Sequence, residues 1–142
     1  MDHVVYLDAK ASELEKLKSR EKIMIIRGAA GRKMPYGRVN SGDTLYFLEN
    51  DGSGLIKARA EVVSVLDSEK MEKEESIALV DEHQVKLQLT PAQTKRWAGK
   101  RYLVLIEVSK FESLEPFPID NSDYGNMDDW LPVGDIGTVK FI

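Results

Sequence analysis

The residues of this chain best suited to chemistry are concentrated in one stretch. Between positions 20 and 38, Arg20, Lys22, Arg27, Arg32, Lys33 and Arg38 stand against Glu21 alone. That is a net of +5 in a chain whose total is −4, so the remainder carries −9. Gly28, Gly31 and Gly37 together with Pro35 make positions 28–37 a loop. Arginine and lysine set among glycines can approach a phosphate closely and neutralise it. Arg27 closes the apolar run at 23–26 and so sits where a strand would open into a cleft. The alternative for Arg27 is a charge pair with a carboxylate of the acidic C-terminal stretch. Tyr36 in the same loop, with Tyr124 or Trp130 further along, would offer faces on which a flipped or single-stranded base stacks. Trp130 also suits an anchoring role, because apolar Leu131 follows it. Trp97, flanked by Lys95, Arg96, Lys100 and Arg101, makes a second basic and aromatic patch, but reads as core on a short helix beside a strong strand.

Other chemistries fit less well. The run Gly28-Ala29-Ala30-Gly31-Arg32-Lys33 is too short for a phosphate-binding P-loop, and no Ser or Thr follows the lysine. The segment beginning Asp120-Asn121-Ser122-Asp123-Tyr124-Gly125 has tyrosine at the fifth position of a calcium loop and Leu131 at the twelfth, where glutamate is needed. Asp128 and Asp129 are adjacent, so their side chains point apart, and helix capping explains them more simply than paired acid chemistry. His3 and His83 have no neighbouring acid or serine motif and define neither a zinc site nor a triad. No metal and no cofactor is expected.

The elements that must position the basic loop can be read from periodicity and punctuation. A strand is expected at 3–7. A helix near Glu13, with Ser12 and Glu15 at capping-box spacing, should bury Leu14 and Leu17. The run 23–26 suits a strand covered on both faces. Runs 44–48 and 55–65, joined by Asn50-Asp51-Gly52-Ser53-Gly54, should form an antiparallel hairpin. Ser68 is placed to cap a helix over about 69–84. Thr90-Pro91-Ala92-Gln93 combines a capping threonine, proline at the first helical position and a reciprocal glutamine. Positions 102–108 form the strongest strand, expected at the centre of the sheet. From 116 onward, Pro116, Pro118, Gly125, Pro132 and Gly134 forbid a long regular element, while Phe117, Met127 and Trp130 are too apolar for a disordered tail. This stretch should wrap the barrel.

The ordered set Arg20-Glu21-Lys22-Ile23-Met24-Ile25-Ile26-Arg27, then Arg38-Val39-Asn40-Ser41-Gly42-Asp43-Thr44-Leu45-Tyr46-Phe47, then Ala58-Arg59-Ala60-Glu61-Val62-Val63 resembles the ASCH branch of the PUA-like superfamily. The resemblance covers positions 4–66 by motif and reaches 102–108 by the order of elements. It implies an α+β fold: a small mixed PUA-like β-pseudobarrel with two or three short helices and an irregular C-terminal wrap. It also implies a cleft between barrel and first helix that takes RNA or a modified base. Some small ASCH proteins are amidohydrolases of acylated cytidine that use a lysine, a threonine three residues later and a glutamate. Lys22 falls on the lysine position, Ile25 on the threonine position, and the glutamate cannot be chosen among Glu72, Glu74, Glu75 and Glu82.

Residues and resemblance together point to a module that binds a nucleotide, a modified base or RNA beside Lys22, Arg27, Arg32, Lys33, Tyr36 and Trp130. The alternative is a small amidohydrolase of acylated nucleosides with Lys22 as base or nucleophile. A protein partner with a basic surface could also pair with the acidic C-terminal segment. With 142 residues the chain is expected to form one domain. The absence of cysteine fits a reducing compartment, and no apolar run is long enough to span a bilayer, so a cytoplasmic, non-membrane protein is expected. A net charge of −4 supplies no overall field for a polyanion, so any such affinity must be local.

Overall fold

The computed structural model describes residues 1–120 and 129–140. Its framework is a six-stranded mixed sheet curled into a half-barrel. The strands are β1 (Asp2–Leu7), β2 (Met24–Ala29), β3 (Thr44–Glu49), β4 (Leu55–Asp67), β5 (Tyr102–Pro118) and β6 (Trp130–Gly134), in the order β2-β5-β4-β3-β1-β6. Only β1 and β3 run parallel; the other pairs are antiparallel. Helices α1 (Glu13–Ser19), α2 (Lys73–Glu82), α3 (Gln84–Leu87) and α4 (Pro91–Trp97) pack around it, and a 3-10 turn, Ile136–Thr138, follows β6.

The curl arises in the two long strands. Between β4 and β5 the register shifts three times, between Ile56 and Ala58, Arg59 and Glu61, and Val62 and Ser64. Each such irregularity bends the ladder and increases its twist. Curling leaves two apolar faces to cover. Inside the barrel, Ile25, Val104 and Ile106 meet Val5, Phe47, Ala60 and Trp130, with Leu14 and Leu17 of α1 closing the opening. On the opposite face of the same strands, Met24, Ile26, Leu103 and Leu105 pack against Val80, Leu87, Leu89 and Trp97 of the helices. A continuous apolar run at 23–26 is therefore the expected outcome of a strand covered on both sides. A third cluster, Val4, Tyr46, Leu48 and Ile56, is covered by Leu131, Val133 and Val139.

Several local expectations are corrected. The strand at 102–108 is the start of a 17-residue strand, one position in from the end of the sheet rather than at its centre. Ser12 makes no side-chain cap; instead the Glu13 carboxylate accepts from the backbone N–H of Asp8 at 3.0 Å. The helix expected from 69 begins at Lys73 with Glu72 and Glu75 as its capping box. Ser68 serves the sheet, its hydroxyl accepting from Leu103 N–H at 2.9 Å. The reciprocal cap of α4 forms as read, with the Thr90 hydroxyl accepting from Gln93 N–H and the Gln93 side chain accepting from Thr90 N–H. The C-terminal stretch does lie against the barrel, β6 pairing antiparallel with β1 and Ile119 bridging Lys140. No helix among the described residues is long and apolar enough to cross a membrane.

Candidate functional site

Strand β2 delivers Arg27 into the structure. The alternation that turns Ile25 inward turns Arg27 the same way two residues on, and the residue is only 5% exposed. Its guanidinium is fixed by two carbonyls, one terminal nitrogen donating to Ile26 O and the other to Tyr6 O, each at 2.7 Å. Trp130 and Trp97 flank it, with ring centres 5.7 and 5.8 Å from the guanidinium carbon. The remaining edge faces Asp129. Nε lies 3.1 Å from Asp129 Oδ2, but the carboxylate is off the N–H direction, so the buried Nε–H has no hydrogen-bond acceptor among the described residues. Arg96 shares the same carboxylate oxygen at 3.7 Å.

Arg27 and Asp129 border a cleft of about 480 Å³, within the range of small-molecule sites. Arg27, Lys33, Arg96 and Lys100 are its cations, Asp129 its acid, Trp97 and Met34 its apolar surfaces, and the backbone of 28–30 its remaining wall. A smaller cavity of about 90 Å³ adjoins it, sharing Arg27, Arg96, Trp97 and Asp129 and adding Asp8, Glu13 and Gln93. The cations come from two segments distant in sequence. Pairing of Arg27 with Val104 and of Ala29 with Tyr102 sets the loop after β2 beside the turn that follows α4. Gly28 makes that approach close, since a Cβ there would stand 2.6 Å from a Leu103 methyl and 3.3 Å from Lys100 Cβ. Members of both basic patches, Arg27 and Lys33 of one and Arg96 and Lys100 of the other, thus line one cleft.

The other residues read from the sequence fall around this cleft rather than in its walls. Arg32 lies over Tyr36 and Tyr102, at 5.7 and 5.6 Å from their ring centres, and the Tyr36 hydroxyl donates to Ser68 O. Trp130 is buried beneath Arg27, its indole N–H donating to His3 Nδ1 at 3.1 Å. With Nδ1 accepting, His3 Nε2 carries the proton and donates to Asp43 Oδ2 at 2.8 Å. Burial works against the Asp43 charge, yet this bond and the Asn40 N–H hold its pKa below the usual value. Tyr124 and Asp128 lie outside the described residues. Among the described residues no three His, Asp or Glu side chains converge as a metal site would require.

Lys22 lines neither cavity at Arg27, although its partner Glu13 lines the smaller one, and it borders a separate pocket of about 370 Å³ with Leu17, Ile23, Val108 and Phe111. Its side chain is 1% exposed, donating to Leu87 O at 2.5 Å and standing 3.3 Å from Glu13 Oε2. Burial lowers the Lys22 pKa from its ordinary value against the pull of Glu13. Burial opposes the Glu13 charge too, but Lys22, Arg27 and the Asp8 N–H outweigh it and the pKa is lowered. Gln93 completes the cluster, donating to Glu13 Oε2 at 3.3 Å.

Trp97 is core as the sequence predicts, packed with Met24 and Leu103, while its basic neighbours Arg96 and Lys100, not named as site residues from the sequence, line the cleft. The signal that could have recruited them was Gly28, a glycine inside an otherwise bulky strand, which marks a close approach of another segment.

No family model matches the chain, and no curated protein does. Solved structures do match. The ASCH protein of Zymomonas mobilis superposes with a TM-score of 0.68 at 11% identity, over 96% of this chain and 90% of that one. A tyrosine-to-phenylalanine variant of the same protein gives 0.67 at 11% identity over 96% and 93%. A serine-to-alanine variant gives 0.62 at 11% identity over 82% and 73%. At this identity the likeness is one of fold.

Proposed function

We propose, taking the ASCH-type, PUA-like fold of this chain as the starting point, that the cleft at Arg27 binds a nucleotide or a short single-stranded segment of RNA. The observation that carries this reading is the convergence of Arg27, Lys33, Arg96 and Lys100 on one concavity of an acidic chain. A concavity of about 480 Å³ suits one or a few nucleotides and not the length of a duplex. Arg96 supplies what Tyr36 and Trp130 were expected to supply. Its guanidinium lies 4.4 Å from the Trp97 ring centre and is 58% exposed, an open planar surface on which a base can stack.

The hydrolase alternative requires Lys22 as base or nucleophile. Its ammonium is enclosed by Glu13 and Leu87 O, and Ile25 stands where a threonine would be needed. Nothing in this geometry favours that reading over binding.

The test uses residues at the mouth of the cleft. Lys33→Ala with Lys100→Ala should weaken binding of a fluorescent single-stranded RNA about tenfold or more. The slope of log affinity against log salt should fall by about 1.4, at roughly 0.7 per lost phosphate contact on a single strand. Affinity and slope both matching the wild type would remove the cleft from consideration.

A further inference from the structure

The reading above leaves open what kind of phosphate reaches Arg27, and the geometry points to one answer. We infer that Arg27 is a receptor for a terminal phosphate, a phosphomonoester at the end of an oligonucleotide or on a free nucleotide, and that Asp129 holds its place until the ligand arrives. This inference rests on the proposed binding function and narrows it.

Three observations support it. First, the Arg27 guanidinium is pre-set: Ile26 O and Tyr6 O fix its plane, Trp97 and Trp130 flank it, and the buried Nε edge is left facing Asp129 with no aligned hydrogen-bond acceptor among the described residues. An arginine edge covered only by a misaligned carboxylate is complementary to an oxyanion that can take the carboxylate's place. Second, the position in front of that edge holds an anion of the chain's own. Asp129 Oδ2 stands within ion-pair distance of both Arg27 and Arg96, yet misses the Nε–H direction. It neutralises the site without saturating it, and its side chain is one-third exposed, so it can yield to a better acceptor. A phosphate dianion brings more charge and more acceptor oxygens than a carboxylate.

Third, reach and volume discriminate between phosphates. With Arg27 only 5% exposed, a phosphate must project inward to meet it. An internal phosphodiester carries a nucleoside on each side, and both would have to turn back into the 480 Å³ cleft. A monoester carries one. Lys33, Arg96 and Lys100 then meet the rest of the ligand at the cleft mouth.

The experiment compares one short RNA sequence in three forms, with a 5′-phosphate, with a 3′-phosphate and with hydroxyl ends, and adds a nucleoside 5′-monophosphate with its parent nucleoside. Binding is read by fluorescence anisotropy and by the indole N–H signals of Trp97 and Trp130. The expected result is at least one phosphate-ended RNA binding about tenfold or more tighter than the hydroxyl-ended one. The monophosphate should also bind while its nucleoside does not. Asp129→Asn should tighten the phosphate-ended ligand by a clearly larger factor than the hydroxyl-ended RNA. Equal affinity for all three RNAs overturns the inference while leaving RNA binding in place. Binding of the monophosphate with no RNA bound sustains the inference and removes RNA from the proposed function. Weaker phosphate binding by Asp129→Asn overturns the displacement role. Silence from every ligand with the wild-type protein overturns both readings.

Discussion

Lys22 and Arg27 are five residues apart, both nearly inaccessible and both opposite a carboxylate, yet they differ in what remains unsatisfied. The Lys22 ammonium meets both Glu13 and the Leu87 carbonyl in a polar cluster that Gln93 completes. The Arg27 guanidinium is anchored just as firmly by two carbonyls, but its Nε–H has no aligned acceptor among the described residues, and its carboxylate partner at the cleft is partly exposed and off axis. The difference teaches that burial of a cation does not by itself indicate function. A closed hydrogen-bond inventory marks a structural ion pair, while an unsatisfied donor beside a cleft marks a receptor.

The largest effect should come from breaking the closed side. Lys22→Met strands the Glu13 carboxylate in the interior and should destabilise the fold by about 3–5 kcal/mol, measured by urea unfolding. Adding Glu13→Gln should recover part of that loss, and full additivity of the two changes would show that the pair is not coupled. RNA affinity of whatever remains folded should be close to wild type, which separates Lys22 from the cleft.

Asp43 extends the comparison to a second closed unit. Asp43→Asn weakens acceptance from His3 and should cost about 1–3 kcal/mol near neutral pH. Because the pKa values of Glu13 and Asp43 are depressed on folding, their stabilisation is present above the ordinary carboxylate range and is lost as pH falls through the lowered values. The urea midpoint of the wild type should therefore drop below about pH 4, and Asp43→Asn should flatten that drop. A midpoint that stays level with acid would contradict the assignment of these two groups.

The smallest effect belongs to the outer stack. Arg32→Ala removes an exposed cation from the Tyr36 and Tyr102 faces and should lower stability by about 0.5–1 kcal/mol. It should weaken RNA binding less than the loss of Lys33 and Lys100 does. A larger loss than that pair produces would move the binding site from the cleft to the tyrosines.

Much of this was legible in the residues. The Thr90–Gln93 cap, the hairpin of β3 and β4, and the two-sided burial of β2 follow from local chemistry that tolerates few alternatives. The centrality expected for the strand at 102–108 failed because an apolar run reports coverage on both faces, and helices can supply that coverage near the end of a sheet as well as at its middle. Ser12 and Ser68 failed as caps because a capping signature reports capacity, and competing partners, the Glu13 carboxylate and the Leu103 amide, were set by tertiary packing.

For the site, sequence by itself determined the ingredients: a cationic loop in an acidic chain, an arginine closing a buried strand, and a second basic patch around Trp97. Only the tertiary structure decided which of these meet. Strand pairing across some seventy positions brought members of two patches to one cleft, closed Lys22 into an ion pair and turned Tyr36 to Ser68. The physical reason is that charge and polarity are carried by each residue alone, whereas a donor left open or satisfied depends on atoms brought from elsewhere in the chain.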